Sequence, residues 1–130
     1  MALLADIVFD CTRPAALARF WAEALDDHRI APYDQAELAR LRSIAVTDVE
    51  EDPTVLVEPI AGDGPRLWFQ AVPEHKLCKN RVHLDLRTDD FDVEVVRLLG
   101  LGACTVEVHA NPDLVVLADP EGNEFCLLRP

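Results

Sequence analysis

The order of the predicted secondary-structure elements is the feature that most constrains the fold, because a similar order occurs twice. Residues 6–11 are rich in β-branched and aromatic side chains, which predicts a strand. Thr12 can cap the helix that follows, and Pro14 fits the first helical turn, where a missing N–H costs nothing. Residues 54–58 and 66–72 then predict two strands of a hairpin, joined by a Gly-Asp-Gly-Pro turn.

The first predicted helix carries an apolar stripe at helical spacing, which indicates core packing rather than a cofactor-binding segment. Its members are Leu17, Phe20, Trp21, Ala24 and Leu25. Between this helix and the hairpin only residues 35–44 show a helical pattern, and it is weak. Acidic side chains are dense from Asp26 to Asp52, and such a run is expected to be a solvated surface.

The second half begins with a strand at residues 81–87, where polar and apolar residues alternate. Asp90 can cap a second helix, and Gly100 or Gly102 can end it. Three further strands are predicted at residues 105–109, 114–118 and 124–128. The segment Asp-Pro-Glu-Gly-Asn at residues 119–123 predicts the turn between the last two.

Each half therefore predicts a strand, a helix and about three more strands. Helices packed on one side of mostly antiparallel sheets give an α+β fold. We expect a single domain over residues 1–130, with module one at about 1–74 and module two at about 80–130. The linker between them is too short, and too poor in glycine and serine, to separate independent domains.

Side-chain alternation along the strands places polar and chemically active groups opposite the apolar faces. If the sheets curve, these groups line a shared concave surface. A sheet with one ordinary solvated face is the alternative. The indole of Trp68 favours a partly apolar pocket. The predicted ligand-binding residues are Asp6, Asp10, Trp68, Gln70, His83, Asp85, Arg87, Glu124 and Cys126.

His83 and Glu124 are the candidate catalytic residues. A histidine can donate or accept a proton near neutral pH, and a glutamate can act as a base. Each has a structural alternative: His83 can be a structural histidine that is hydrogen-bonded to Asp6 across the sheet, and Glu124 an ordinary solvated carboxylate. Cys126 is flanked by Phe125 and Leu127, so a small hydrophobic role competes with a nucleophilic one.

Composition narrows the partners and the compartment. The chain has 24 acidic and 12 basic residues, a formal net charge of -12, which disfavours nucleic acid and anionic membrane surfaces. No apolar run is long enough to span a bilayer, and the start lacks a basic region followed by a long apolar one. We therefore expect a cytoplasmic protein. Its four cysteines form no metal-binding pair, and Cys11 and Cys104 are expected in the core.

Several segments resemble the glyoxalase/bleomycin-resistance/extradiol-dioxygenase superfamily, also called the vicinal oxygen chelate superfamily. These are residues 6–11 with 15–25, residues 80–86, residues 98–103, and Asp-Pro-Glu-Gly-Asn at 119–123. The run from residue 66 to residue 85 looks like its glyoxalase-like domain subgroup. The resemblance covers nearly the whole chain except roughly residues 26–53. It implies two βαβββ modules that form a half-open, barrel-like cleft around a small-molecule site, with the helices outside.

The resemblance also implies a set of positions for a divalent metal. In the metal enzymes of the superfamily, the first and last strands of each module each supply one ligand. Those positions here are Asp6, Trp68 or Gln70, His83 and Cys126, so the candidate metal ligands are Asp6, Gln70, His83 and Cys126. The family usually has histidine at the first position and glutamate at the last. A cysteine thiolate suits a softer metal such as zinc.

The leading hypothesis is a glyoxalase-like domain that binds a small organic molecule in the cleft between the modules. A second hypothesis is a metal-dependent lyase or isomerase acting on a small carbonyl compound, with His83 as a ligand and Glu124 as a base. The sequence leaves an enzyme and a binding protein both open. A third hypothesis is a non-catalytic association domain, since members of the family often form homodimers.

Overall fold

The computed structural model describes residues 1–107 and 111–130. The described residues form three helices and two four-stranded sheets, so the predicted α+β fold with two modules is confirmed. Contacts divide the chain into two compact units, which we call unit one (residues 1–75) and unit two (residues 76–130). None of the described helices is both long enough and apolar enough to cross a membrane.

Unit one contains a sheet with the strand order β1-β4-β3-β2. Strand β1 runs parallel to β4, and the other neighbours are antiparallel, so the predicted hairpin of β3 and β4 is confirmed. In chain order, the elements are β1 (Asp6–Cys11), α1 (Pro14–Ala24), β2 (His28–Ile30), α2 (Gln35–Ser43), a 3₁₀ turn (Val49–Glu51), β3 (Thr54–Pro59) and β4 (Arg66–Ala71).

Unit two repeats this connectivity in a sheet with the order β5-β8-β7-β6. Its first strand again runs parallel to its last, and the other neighbours are antiparallel. Its elements are β5 (Leu84–Arg87), α3 (Phe91–Leu101), β6 (Cys104–Glu107), β7 (Leu114–Ala118) and β8 (Glu124–Leu128). The predicted strands at 114–118 and 124–128 agree with β7 and β8. Of the strand predicted at 105–109, Val108 and His109 lie outside the described residues.

The apolar stripe of α1 packs against one face of the unit-one sheet. Trp21 is 1% exposed, and its ring centroid lies 5.4 Å from that of Phe9. Phe9 in turn stacks on Phe69 of the neighbouring strand, with the centroids 5.0 Å apart. Burying such aromatic side chains stabilises a core by several kcal/mol in total, about 1.5–3 kcal/mol for each. The opposite face of this sheet is therefore the one on which polar groups can meet solvent or a ligand.

Two local predictions in unit one need correction. Arg13, not Thr12, is the N-cap of α1, because Pro14 is the first helical residue and the capping position directly precedes it. The segment treated as loosely structured contains β2, which is only three residues long and is fixed by pairing with β3. A strand this short has no periodic pattern of its own, so only its distant partner reveals it.

Two predictions in unit two also need correction. The strand predicted at 81–87 starts only at Leu84, and Val82 is 76% exposed instead of packing on the apolar face. The chain before Leu84 is held by side chains, since the Asn80 N–H donates to the Glu124 carboxylate instead of to a sheet partner. Cys104, expected in the core, is exposed, whereas Cys11 is buried as predicted.

Candidate functional site

The open face of the unit-one sheet, opposite α1, carries the predicted site residues of this unit. Pairing places Asp10 beside Gln70, and Val8 beside Trp68. The Gln70 amide donates to the Asp10 carboxylate at 2.9 Å, so the structure brings these two predicted residues together. The sequence signal for this face was the alternation of polar and apolar residues along both strands.

Asp6 lies at the start of β1 and is already engaged. The Arg66 guanidinium donates to both of its carboxylate oxygens, from Nε at 2.7 Å and from a terminal nitrogen at 3.0 Å. The hydrogen bonds and charge of Asp6 raise the pKa of Arg66, so this guanidinium stays charged. Such two-pronged pairing is the strongest common arrangement between these groups. Asp6 could ligate a metal only by giving up this partner.

A cavity of about 420 Å³ lies on the same open face, between the sheet and the segment that contains α2. Leu56 and Trp68 form its apolar side, and they lie directly opposite each other on the adjacent strands β3 and β4. Its polar lining includes Arg29, Tyr33, Glu37 and Glu58. Volumes of this order are typical of small-molecule sites, which span about 300–1,000 Å³.

Asp52 holds the α2 segment against this cavity, a role that sequence reasoning missed. Its side chain is only 1% exposed and accepts from the Tyr33 hydroxyl, the Arg40 guanidinium and the Thr54 N–H, at 2.8, 2.8 and 2.9 Å. Burial raises the pKa of the Tyr33 hydroxyl most, and the hydrogen bond to Asp52 raises it further. The expectation that the whole acidic run is solvated is wrong at Asp52, because three donors compensate its burial.

His28 is a second buried polar residue that the sequence did not reveal. Its side chain is 6% exposed and lies between two acceptors, the Asp27 carboxylate at 2.6 Å and the Pro65 carbonyl at 2.9 Å. The ring thereby ties β2 to the loop that precedes β4. Nothing local in the sequence distinguishes this histidine, since Pro65 is 37 residues away.

In unit two, His83, Asp85 and Cys126 form a cluster whose ligand atoms all lie within 4.8 Å of one another. Pairing of β5 with β8 places Asp85 directly beside Cys126. His83 precedes β5, so its side chain is not bound by strand geometry and its Nε2 comes within 3.3 Å of Asp85. The sequence predicted that these residues share a face, and the structure brings them close together.

The surroundings of Cys126 favour the protonated form of its thiol. Burial raises its pKa, and the neighbouring Asp85 carboxylate raises it further, both by its charge and by accepting a hydrogen bond. A thiol with a raised pKa is a weak nucleophile at neutral pH. The raised pKa therefore favours a packing role for Cys126 over covalent catalysis, and as a metal ligand the thiol would first have to lose its proton.

Glu124 lies two residues before Cys126 at the start of β8, and both of its oxygens have donors. The Lys76 ammonium and the Asn80 N–H each donate to it at 3.0 Å. Burial opposes ionisation, but the hydrogen bonds from Asn80 and Lys76 outweigh it and lower the pKa of Glu124 to about 2. A carboxylate this acidic is a poor base, so the predicted catalytic role of Glu124 is disfavoured. Arg87, by contrast, is exposed at the end of β5.

The turn at residues 119–123 positions β8 and thus Cys126. The Asp119 carboxylate is buried and accepts from the N–H groups of Glu121 and Asn123 at 2.9 and 3.0 Å. The Asn123 amide donates to the same carboxylate, and Gly122 adopts a positive φ of 87° that favours glycine. The Asp-Pro-Glu-Gly-Asn sequence is therefore a self-contained turn, in which each of these polar residues has a partner.

A family model described as the glyoxalase-like domain matches residues 6–128, nearly the whole chain. The chain belongs to the glyoxalase-like domain family. This places it in the vicinal oxygen chelate superfamily, as the resemblance implied. No curated protein matches this glyoxalase-like domain.

Solved structures with the same fold include a glyoxalase/bleomycin resistance protein/dioxygenase family enzyme from Burkholderia phytofirmans PsJN. It is 16% identical, with a TM-score of 0.67, and 98% of each chain is covered. The fosfomycin resistance protein FosX from Mesorhizobium loti is 17% identical, with a TM-score of 0.64 and coverage of 98% of this chain and 91% of that one. The trypanothione-dependent glyoxalase I of Leishmania major is 14% identical, with a TM-score of 0.59 and coverage of 99% and 87%. At these identities the similarity shows the shared fold.

The four predicted metal ligands divide between the two units. Asp6 and Gln70 belong to unit one, where each is paired with a neighbouring side chain. His83 and Cys126 belong to unit two, where the structure brings them together with Asp85. The donor set that the described residues supply in one place is thus an imidazole, a carboxylate and a thiol.

Proposed function

We propose that this glyoxalase-like domain binds a small organic molecule on the open face of its sheet. The observation that carries the proposal is the cavity of about 420 Å³ in unit one, which combines an apolar side with polar walls. The hydrogen bonds of Asp52 hold the α2 wall in place, so the cavity belongs to the folded unit. A preformed site of this kind lowers the entropic cost of binding.

The solved relatives support this proposal at the level of chemistry. Their names refer to resistance to fosfomycin and to a trypanothione-dependent glyoxalase, and both names involve small molecules. The two names mention different small molecules, and one fold can carry different functional sites. The residues of this chain, rather than the fold, must therefore decide its ligand.

A thermal-shift screen with small cations, neutral compounds and anions tests the proposal. A bound compound at a concentration of 100 times its Kd stabilises the folded state by about 2.7 kcal/mol. Trp68→Ala should abolish the shift, whereas Val93→Ala, at an exposed position of α3, should retain it. If no compound stabilises the folded wild-type chain, or if Trp68→Ala responds like the wild type to every compound, the proposal is wrong.

A second candidate function is a metal-dependent lyase or isomerase acting on a small carbonyl compound. The cluster of His83, Asp85 and Cys126 favours it, because three protein ligands and one open position are typical of catalytic zinc. Tetrahedral zinc needs its donor atoms about 3.3–3.8 Å apart, from bond lengths of about 2.0 Å to nitrogen and 2.3 Å to sulfur. Separations within 4.8 Å can reach this range by small side-chain rotations, so the residues fit the ion.

The three side chains would divide the work of such a site. His83 and Asp85 are half-exposed and would bind the ion from the solvent side, whereas Cys126 is buried in the sheet and would bind it from the protein side. When bound, a divalent ion would polarise a carbonyl oxygen. Glu124 is too acidic to accept the proton in this scheme, and its bonds to Lys76 and Asn80 instead fix the loop that carries His83.

Metal analysis of protein purified without a tag tests the second function. We expect about one zinc per chain, and cobalt substitution should give a thiolate-to-cobalt absorption band that Cys126→Ser removes. Cys78→Ser is the matched control, since Cys78 is an exposed free thiol outside the cluster. Metal far below one per chain, with no rise in Tm on adding zinc, nickel or manganese, would contradict it.

We also propose that the protein acts in the cytoplasm as a homodimer. The thiols of Cys78, Cys104 and Cys126 form no disulfide among the described residues, which supports a reducing compartment. Cell fractionation tests the location, and light scattering tests the oligomeric state. A monomer in scattering at working concentration would contradict the homodimer.

A further inference from the structure

The charged groups around the unit-one cavity are mostly acidic. Arg29 is the one cationic residue among the described lining residues. The same lining contains four carboxylates, those of Asp34, Glu37, Asp52 and Glu58. Arg40 adds a second positive charge behind the wall, because it binds Glu37 and Asp52. Two negative charges remain unbalanced, and the net charge of -12 on the whole chain strengthens the same field.

The carboxylates of this wall differ in how fully they are used. Both oxygens of Asp52 already accept hydrogen bonds, so Asp52 holds the wall and offers nothing to a ligand. Glu37 receives a close hydrogen bond from Arg40 at 2.9 Å. Asp52 therefore contributes to the rigidity of the cavity and not to its binding capacity. The charge of Glu37 is balanced by Arg40, although one of its oxygens stays available.

Glu58 and Asp34 retain binding capacity. Glu58 accepts from Arg29 on one oxygen only, at 3.2 and 3.4 Å, and its other oxygen has no hydrogen-bond donor among the described residues. Asp34 uses one oxygen to cap α2, accepting from the Glu37 N–H at 2.9 Å. Both residues thus line the cavity, and each has an oxygen that can accept a hydrogen bond from a new donor.

Trp68 provides the complementary feature. Its indole is half-buried in β4 and lines the cavity together with Leu56. An indole face attracts cations more strongly than the other aromatic side chains do, and it also packs against apolar groups. A carboxylate with a spare oxygen beside an accessible indole is an arrangement suited to an ammonium group.

We propose that the unit-one cavity selects an organic cation: a primary or substituted ammonium that carries an aromatic or aliphatic body. The body would pack on Trp68 and Leu56, and the ammonium would donate to Glu58, with Asp34 adding charge. In the described lining, an anion would find Arg29 as its single cationic partner. Because the Arg29 guanidinium is already paired with Glu58, the cavity disfavours an anion. This inference rests on the proposed small-molecule function and adds the charge class of the ligand.

Three probes of similar shape but different charge test the inference: 2-phenylethylammonium, 2-phenylethanol and 3-phenylpropanoate. Calorimetry measures each affinity, and tryptophan fluorescence locates the contact, because Trp21 is 1% exposed in the core whereas Trp68 lines the cavity. We expect the cation to bind about tenfold more tightly than the alcohol, and the anion most weakly. Trp68→Phe should remove the fluorescence change.

Two variants with opposite expected signs separate binding from fold. Glu58→Gln should weaken the cation about fivefold and leave the alcohol unchanged, whereas Arg29→Gln should strengthen the cation about threefold by freeing Glu58. If the pair were only structural, both variants would weaken binding. Asp63→Asn makes the same charge change as Glu58→Gln at an exposed turn outside the cavity, and it should leave the cation affinity unchanged.

The outcomes distinguish this inference from the function on which it rests. If the alcohol or the anion binds as tightly as the cation, small-molecule binding stands and the cation selectivity is overturned. If Asp63→Asn weakens the cation as much as Glu58→Gln does, the effect is one of net charge, and the assignment to Glu58 is overturned. If none of the three probes binds at up to about 10 mM but a neutral compound or an anion from the thermal screen does, only the inference fails.

Discussion

Tyr33 is the single tyrosine of the chain, so its ionisation can be followed without interference from another phenol. Burial and the hydrogen bond to Asp52 raise its pKa above the ordinary value of about 10. A raised folded-state pKa means that the stability contributed by the neutral phenol is complete below pH about 10 and is lost above it, as the unfolded chain ionises. We expect tyrosinate absorbance to appear only when alkali unfolds the protein.

Urea unfolding at neutral and alkaline pH checks this expectation. Tyr33→Phe should cost about 1 kcal/mol at pH 7, through the lost hydrogen bond to Asp52, and should lose less stability than the wild type as the pH rises. The comparison isolates Tyr33 from the lysines and thiols that titrate in the same range. A tyrosinate signal that rises near pH 10 in the folded protein would contradict the prediction.

Glu124 leads to a second prediction at the scale of single residues. Its carboxylate joins the Lys76 ammonium and the Asn80 N–H, and it is 12% exposed, so its bonds are only weakly screened. We expect Glu124→Gln to lower the free energy of unfolding by about 1–2 kcal/mol, measured by urea denaturation. Lys76→Gln should cost less, since its side chain is more exposed, and the double variant should cost less than the sum of both. Strict additivity would show that the pair is not coupled.

Residue roles were predictable where the signal is local. Asp90 caps α3 by accepting from the Val93 N–H, as its position before an apolar stripe predicted. Asp52 and His28 were not predictable, because their partners come from separate elements and their burial arises only when those elements pack. In sequence, Asp52 follows two other acids and matches a solvated run, although its side chain is 1% exposed.

At the scale of elements, the end of α3 depends on Gly102. This residue is the C-cap, with a φ of 116°, in the left-handed region that favours glycine. A Cβ there would meet Pro120 at an ordinary distance of 3.5 Å, so the cost of a side chain comes from the backbone and not from a clash. We expect Gly102→Ala to reduce the free energy of unfolding by about 1–2 kcal/mol, measured by chemical denaturation.

Gly100→Ala is the matched control, because this glycine lies inside α3 and a Cβ would meet nothing within 4 Å. Alanine is favoured over glycine inside a helix by roughly 0.5–1 kcal/mol, so this variant should gain stability. If the two substitutions change the free energy of unfolding in opposite directions, the requirement for glycine lies at the end of the helix and not inside it. Equal effects of both substitutions would mean that Gly102 is not a required stop.

Elements were predictable in proportion to their length and periodicity. Helix α1 and strands β7 and β8 carry long or alternating patterns, and their bounds agree with the prediction to within about two residues. Strand β2 has three residues and depends on β3 for its existence. In β5 the alternation continues through His83, but side-chain bonds to Asn80 hold the preceding chain out of the sheet.

At the scale of the whole molecule, the repeated order of elements carried the most information. Both sheets have the same connectivity, with the first strand parallel to the last, which follows from repeating one strand–helix–strand order. The candidate site was less predictable than the fold. The resemblance implied His83 and Cys126 as metal ligands, and the structure brings both close to Asp85, which pairs with Cys126 between β5 and β8.

The net charge of -12 gives a prediction for the molecule as a whole. At about 0.01 M salt the Debye length is about 30 Å, so the unbalanced carboxylates repel one another across the protein, whereas at 0.15 M it is about 8 Å. Half-exposed ion pairs such as Arg19–Glu50 and Arg29–Glu58 each contribute only about 0–1 kcal/mol and weaken in parallel. We expect repulsion to dominate, so NaCl should raise the free energy of unfolding.

Urea unfolding at low and moderate NaCl, at pH 7, measures this effect, for which we expect a gain of about 1 kcal/mol. The control replaces two exposed aspartates, Asp26→Lys and Asp63→Lys, which changes the net charge from -12 to -8 because each reversal adds two positive charges. Its response to salt should be smaller than that of the wild type, since less repulsion remains to be screened. A wild-type chain that loses stability as NaCl is added would show that attraction within its ion pairs exceeds the repulsion from its net charge. The acidic field around the unit-one cavity would then contribute less to ligand selectivity than the direct contacts with Glu58 and Trp68 do.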